Sequence, residues 1–187
     1  MSFVSKANEK RAVFIDRDGV INHDLGYVFK WEDFKFIDGA IDAMQMLIKE
    51  SFLLFIITNQ SGIGRGYYSD IDLLLLNKVL CEYLNFNNVK IEEIYYCPHL
   101  PEEKCACRKP SPGLILQAER EHAINLRRSF MIGDKLSDVK AGLRAGVGTN
   151  ILIHQYATPK KQQDLNYSTA KDLYEAAAQI IDEAANR

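Results

Sequence analysis

The sequence predicts an α/β fold built on a parallel sheet, and three observations carry that prediction. Apolar or β-branched runs at residues 12–15, 52–57, 91–96, 129–132 and 149–153 alternate with stretches of helical periodicity, the pattern of repeated strand–helix–strand units. Each run is strand-sized, well short of the roughly 20 apolar residues that would cross a bilayer. Polar segments suited to phosphate or metal follow several of these runs, where the ligand-binding edge of such a sheet lies. The expected architecture is a five-stranded parallel core sheet with helices on both faces, in a single domain over residues 1–187. That length allows a substantial core, and the hydrophobic content of 47% agrees with a soluble globular chain.

The elements follow in order. Ala12-Val13-Phe14-Ile15 reads as a buried strand. Residues 21–38 form a small flap, too short for an independent lid domain, so the opening admits a substrate without a large cap closing over it. The Asp38-Gly39 turn leads into a helix over residues 40–49, where apolar residues recur at three- and four-residue spacing. After the second strand, Ser69 or Asp70 caps a helix that runs through about Leu84. Its Leu73-Leu74-Leu75-Leu76 run reads as a face packed on the sheet. A third helix opens with Pro112-Gly113 and runs to about Ala123, and a fourth, Leu136 to Ala145, ends at Gly146, a natural left-handed cap. Last comes a covering helix from Ala170 to Ala185, rich in good helix formers. Thr158-Pro159-Lys160-Lys161-Gln162-Gln163 is the one linker-like stretch.

Composition narrows the function. With 23 basic and 25 acidic residues the net charge is −2, which gives no general reason to expect nucleic acid or an anionic membrane as partner. A small anionic substrate has to be met by local cations. The N-terminus, Met1-Ser2-Phe3-Val4-Ser5-Lys6, lacks the apolar stretch of a signal peptide, so the expectation is a cytoplasmic protein, and a monomer. In that compartment the four cysteines, Cys81, Cys97, Cys105 and Cys107, argue against a disulfide framework and towards a metal.

The first strand ends in Asp16-Arg17-Asp18-Gly19-Val20. Side chains alternate along extended backbone, so Asp16 and Asp18 can face one side and converge on a small site. Two acids there cannot both ionise cheaply unless a cation such as Mg2+ joins them; taken alone, the pattern equally fits a solvated turn. Three further segments bear on the choice: Thr58-Asn59-Gln60-Ser61-Gly62, Arg108-Lys109-Pro110 and Gly133-Asp134-Lys135-Leu136-Ser137-Asp138. In this order the four segments resemble the motifs of the haloacid dehalogenase superfamily of phosphohydrolases, over about Phe14 to Asp138.

That resemblance implies a Rossmann-like haloacid dehalogenase fold with a minimal cap, and a mechanism. Asp16 would attack phosphorus to give an aspartyl-phosphate, splitting one difficult step into two. Asp18 would donate a proton to the leaving oxygen, then take one from the hydrolysing water. A free Asp has a pKa of about 3.9, so at pH 7 only about one in a thousand is protonated; the dianionic phosphate beside Asp18 shifts it in the required sense. Mg2+ would be held by the Asp16 carboxylate, the Asp18 backbone carbonyl and Asp134. Thr58 and the Asn59 backbone amide would hold phosphoryl oxygens while Lys109 neutralises charge. Lys135 could add to this, and Asp138 would be a partner of the metal site or of Lys109.

A second constellation stands on spacing alone. Cys97-Pro98-His99 and Cys105-Ala106-Cys107 offer three thiolates and one imidazole, a closed tetrahedral set for Zn2+ with no position left for a substrate. This zinc is therefore expected to be structural, fixing the loop that presents Arg108 and Lys109. Cys81 reads as a small apolar core residue. Joined to the phosphatase motifs, the cysteine loop resembles a branch that holds heptose-bisphosphate and histidinol-phosphate phosphatases. Thr58-Asn59-Gln60-Ser61-Gly62-Ile63-Gly64-Arg65-Gly66 looks more like the heptose members, which typically have Ala where Gly64 stands. The resemblance implies a phosphorylated sugar as substrate, with Asn59, Gln60, Ser61 and Arg108 around it and Asn22, Asp24 and Tyr27 as flap contacts. Arg65 and Arg108 are planar cations available to a second phosphate. A histidinol-phosphate phosphatase and a zinc-stabilised binding module without turnover are the alternatives. A phosphomutase is disfavoured because so small a flap leaves an intermediate open to water.

Overall fold

The strands are built from residues that are buried on both faces. In a computed structural model, which describes residues 10–154 and 164–186, all four residues of β1 (Ala12–Ile15) are buried. The chain continues through α1 (Ala40–Lys49), β2 (Leu53–Asn59), α2 (Asp70–Phe86), β3 (Ile91–Cys97), α3 (Gly113–His122), β4 (Phe130–Gly133), α4 (Leu136–Ala145), β5 (Thr149–Ile153), β6 (Ser168–Ala170) and α5 (Leu173–Ala185). Every pairing in the sheet is parallel, in the order β3-β2-β1-β4-β5-β6. Strand order therefore reverses between β1 and β4, the point outside which ligands bind in such sheets.

Two cores sandwich the sheet. On one side Val13, Ile15, Leu54 and Ile56 pack with Ala43 and Leu47 of α1, Leu80 and Leu84 of α2 and Ala177 and Ile180 of α5. On the other, Phe14, Phe55, Ile57 and Met131 pack with Leu114, Ile115 and Ala118 of α3 and Ala141 of α4. Helix ends follow their sequence signals. Ser69 caps α2 by accepting the Asp72 amide while Asp72 accepts the Ser69 amide, and α4 ends at Gly146 with φ of 86°.

Three details differ from the sequence reading. The sheet gains a sixth strand, β6, whose three residues pair with β5 at the edge; a run this short carries no periodicity to read. The last helix consequently begins at Leu173, where the Asp172 side chain accepts the Glu175 amide. Of the four consecutive leucines in α2, Leu73 and Leu76 are buried, but Leu74 and Leu75 are 53% and 59% exposed. Four successive helical positions sweep most of a turn, so one sheet cannot cover them all. The linker-like stretch and the first residues, 1–9, lie outside the described residues.

The flap leaves the end of β1 and is pinned at its base. Asn22 bridges to Phe36, and Trp31, Phe34 and Phe36 cluster with one another and with Tyr83 of α2, ring centroids 5.0 to 6.3 Å apart. No helix among the described residues is long and apolar enough to cross a membrane.

Candidate active site

The carboxyl ends of β1, β2 and β4 place side chains from four separate segments around one cleft of about 550 Å3. Asp16 follows β1 directly, and its backbone amide donates to the Ile132 carbonyl of β4 at 2.9 Å. Asp16 Oδ1 lies 2.8 Å from Lys109 Nζ, which also meets Asp138 Oδ1 at 2.6 Å and donates to the Ile57 carbonyl at 2.7 Å. The backbone of Lys109 is clamped in turn: its N–H donates to Asn59 Oδ1 at 3.0 Å and its carbonyl accepts from Asn59 Nδ2 at 3.1 Å. Asp138 is fixed at both oxygens, since Oδ2 accepts the Lys135 amide at the start of α4.

This cluster is short of positive charge. The carboxylates of Asp16, Asp134 and Asp138 bring oxygens within 4.8 Å of one another; against these three, Lys109 is the ammonium buried among them and the half-exposed Lys135 stands 3.5 Å from Asp134 Oδ2. Burial pushes the Asp16 carboxyl up to about 7, with Lys109 pulling it down and the Asp138 and Asp134 charges pushing it further up. Burial likewise raises Asp134. Lys109 is raised despite its burial, because Asp138 and Asp16 hold its charge. Asp134 Oδ1 is buried without a hydrogen-bond partner. Gly19 approaches from the other side, where a Cβ would stand 2.4 Å from Asp134 Oδ2, and its φ of 87° is in the left-handed region. Hard oxygen donors, a partnerless buried oxygen and uncompensated negative charge fit a Mg2+ ion.

Asp18 occupies different surroundings on the same cleft. The Arg17 guanidinium grips it through Nη2 to Oδ2 at 2.9 Å and through Nε and Nη2 to Oδ1 at 3.2 and 3.0 Å. Asn22 Nδ2 donates to Oδ1 and Gln60 Nε2 to Oδ2, both at 2.9 Å. Arg17 is wholly buried and also donates to the Val28 carbonyl of the flap.

Asp24, Tyr27, Thr58, Asn59, Gln60, Ser61, Arg108 and Lys135 also line the cleft. Lys135 reaches across its mouth to Asp24 Oδ2 at 3.1 Å. That contact holds Asp24 below its ordinary value against the burial that raises it. Asp134 and Gly19 line an adjoining cavity of about 450 Å3 that shares Asp24. Two residues stand apart from their expected places. Arg65 is exposed on the β2–α2 loop and does not line the cleft, and Asn22 is buried behind Asp18. Gln60 lines the cleft, but its amide is engaged by Asp18, Thr58 and Tyr68. The sequence reading missed Arg17, Tyr68, Pro101 and Ser137; Arg17 and Ser137 lie inside the quoted motifs, whereas nothing in the local pattern marks Tyr68.

Beside the cleft, the cysteine loop closes on itself. Cys97 Sγ lies 3.1 Å from Cys107 Sγ and 3.5 Å from both Cys105 Sγ and His99 Nδ1. Cys107 Sγ lies 3.3 Å from Cys105 and 3.2 Å from His99 Nδ1. These separations exceed a disulfide bond of about 2.05 Å, and the cysteines are free. Burial drives the Cys97 thiol up, whereas hydrogen bonds from Cys107 and the Arg108 amide outweigh burial at Cys105 and bring it down to about 7. Three thiol sulfurs and an imidazole nitrogen converging in this way fit Zn2+. The loop meets the cleft through Pro101 and through Arg108, whose Nη1 donates to the His99 carbonyl at 3.2 Å.

Comparison with known proteins decides the family. A HAD-hydrolase-like family model matches residues 106–178. D-glycero-alpha-D-manno-heptose-1,7-bisphosphate 7-phosphatase from Campylobacter jejuni is 46% identical over 174 residues, covering 87% of this chain and 98% of the relative. The chain belongs to the haloacid dehalogenase-like phosphatases. A D-glycero-beta-D-manno-heptose-1,7-bisphosphate 7-phosphatase from Helicobacter pylori is 51% identical over 79% of this chain and 86% of its own. Among solved structures, the D,D-heptose 1,7-bisphosphate phosphatase of B. bronchiseptica, complexed with magnesium and phosphate, superposes with a TM-score of 0.82. It has 29% identity over 93% of this chain and 99% of that one. In this haloacid dehalogenase-like phosphatase, Asp24, Gly26 and Tyr27 from the segment between β1 and α1, and Pro101 from the cysteine loop, line the cleft.

Proposed function

We propose that this protein is a Mg2+-dependent phosphatase that removes the C7 phosphate of D-glycero-D-manno-heptose 1,7-bisphosphate, in the cytoplasm, on a route supplying heptose for lipopolysaccharide or other glycans. The observation that carries the reading is the buried Asp16–Lys109–Asp138 cluster beside the separately held Asp18, in a chain 46% identical to a heptose bisphosphate phosphatase over 98% of that enzyme. Asp16 Oδ1 meets Lys109 and accepts the Arg17 backbone amide, which fixes the carboxyl in the cleft. As the Asp16–phosphorus bond forms, the bond from phosphorus to the C7 oxygen breaks and Asp18 delivers its proton to that oxygen. Asp18 then takes a proton from water, which attacks the aspartyl-phosphate and frees both phosphate and Asp16. Thr58 and the Asn59 backbone amide hold phosphoryl oxygens, and Lys109 offsets the charge that gathers on them. Asp16, Asp134 and the Asp18 carbonyl would hold Mg2+. When bound, the ion supplies Lewis-acid polarisation and charge neutralisation. Arg108 lines the cleft as a cation for the sugar's second phosphate, and Lys135 would join it by exchanging its pair with Asp24. Cys97, His99, Cys105 and Cys107 would hold a structural Zn2+.

The test is Mg2+-dependent phosphate release from both anomers of heptose 1,7-bisphosphate, beside histidinol phosphate and fructose 1,6-bisphosphate. Both anomers are needed because the two relatives carry opposite ones in their names. Release of one phosphate with the highest kcat/KM on a heptose anomer supports the proposal. A higher kcat/KM on histidinol phosphate would keep the mechanism and overturn the substrate.

A further inference from the structure

Gln60 sits at the centre of a hydrogen-bond relay along one wall of the cleft. The residue is 3% exposed, and its amide nitrogen donates to Asp18 Oδ2 and to Thr58 Oγ1, each at 2.9 Å. Its amide oxygen accepts from the Tyr68 hydroxyl at 2.6 Å. Both donors and the carbonyl are thus in use, which leaves little for a substrate. The orientation is also determined. Turned over, the amide would set its oxygen against the Asp18 carboxylate, two acceptors with no proton between them, or against a protonated Asp18, whose proton it would draw away from the cleft.

Tyr68 is held just as firmly. Its ring packs on Gly62, where a Cβ would lie 2.1 Å from a ring carbon, and it stacks on Phe29 of the flap with centroids 4.9 Å apart and planes 11° from parallel. The relay therefore runs from the flap through Tyr68 and Gln60 to Asp18 and Thr58, two groups on opposite duties in the reaction. The terminal torsion of an aspartate is broad, so the direction of its carboxyl is set by its donors. Arg17 and Asn22 engage Oδ1, and Gln60 with Arg17 engages Oδ2.

We propose that Gln60 and Tyr68 are positioning residues that aim the Asp18 carboxyl at the leaving oxygen, and that Phe29 of the flap keeps Tyr68 in place. The inference rests on the reading of Asp18 as proton donor. In the first transfer the proton passes from Asp18 to the departing oxygen as the phosphorus–oxygen bond breaks, and Gln60 then donates to the carboxylate that remains. A carboxyl turned away by a fraction of an ångström loses this transfer without losing the nucleophile.

Leaving-group dependence tests this. Tyr68→Phe keeps the ring, its stack and its contact with Gly62 while removing the hydroxyl, and kcat/KM reports steps through the first transfer. We expect kcat/KM to fall about tenfold on the best alkyl phosphate of the substrate panel. On p-nitrophenyl phosphate, whose leaving group departs without a proton, the fall should be about threefold or less. Gln60→Leu should widen the gap to about a hundredfold, and it serves as the measured variant if Tyr68→Phe does not fold. Equal losses on both esters, or no loss on either, overturn the proposal. If the wild type cleaves other esters but no heptose bisphosphate, the substrate assignment alone fails. If it releases phosphate from none, this inference and the phosphatase reading fall together.

Discussion

At the scale of single residues, the site trades stability for reactivity. Asp16 is buried beside two other carboxylates, with Lys109 as their buried counter-charge. Asp16→Asn should therefore abolish phosphate release, by at least about a thousandfold, while leaving the metal-free protein at least as stable to heat. Loss of a nucleophile removes the covalent route, and loss of its charge relieves repulsion. Turnover and thermal melting in chelator check both halves. The same carboxyl sets a pH dependence. Its folded value of about 7 stands above the roughly 3.9 of a free Asp, so the native state holds this proton more tightly than the unfolded chain. Stability of the metal-free protein should accordingly fall as pH rises from about 4 to about 7 and level off beyond it, and the slope in that window should flatten in Asp16→Asn. Melting across a pH series in chelator would show it. Unlike Asp134 and Asp138, which entered through the order of the four segments, Asp16 and Asp18 were legible in the sequence because their spacing is local. Arg17 was quoted only as the residue between them, yet its burial and its grip on Asp18 come from the flap folding back over it, which no spacing rule encodes.

At the scale of elements, the two short loops beside the sheet divide the work. Lys109 and Arg108 are adjacent, yet they are secured by different parts of the molecule. Lys109 is clamped by the Asn59 amide and by the Ile57 carbonyl, both on β2, whereas Arg108 leans on the His99 carbonyl of the cysteine loop. Removing zinc, or replacing Cys105 with Ser, should therefore raise KM for the bisphosphate substrate more than it lowers kcat. It should also lower the melting temperature, since structural zinc binding is worth about 10 kcal/mol or more in small domains. Steady-state kinetics before and after chelation, with zinc added back, measure the split. A fall in kcat at constant KM would mean that the loop holds Lys109 after all. Helices with regular spacing and marked ends, such as α1 after the Asp38-Gly39 turn and α4 before Gly146, were readable at their bounds. The edge strand β6 was not, because three residues that pair with β5 carry no period of their own. The leucine run of α2 was half-readable: its burial is decided by which way the helix rolls on β3, and that depends on contacts far away in sequence.

At the scale of the whole molecule, function depends on strand order rather than on any one segment. The sequence showed four chemical segments following strands; only the order β3-β2-β1-β4-β5-β6 explains why those after β1 and β4 become neighbours, since β1 lies between its own successor β2 and the much later β4. Asp16 and Asp134 come from these two central strands, so a cation joining them ties together the middle of the sheet. Metal binding is then also a folding term for the entire chain. At a hundredfold excess over its dissociation constant, an ion that binds the native state alone adds about 2.7 kcal/mol. For a chain of 187 residues that corresponds to a rise in melting temperature of roughly 5–10 °C. Asp134→Asn should remove most of this Mg2+-dependent rise, because it deletes a ligand charge next to the oxygen that no protein group satisfies. It should leave the zinc-dependent part of the stability untouched, because among the described residues the cysteine-loop ligands and Asp134 belong to two separate ligand groups. Melting curves with Mg2+, with Zn2+ and with both, for wild type and variant, separate the two. If Asp134→Asn kept the full Mg2+ shift, the ion would have to be held elsewhere, and the assignment of the β1–β4 junction as the metal site would be lost.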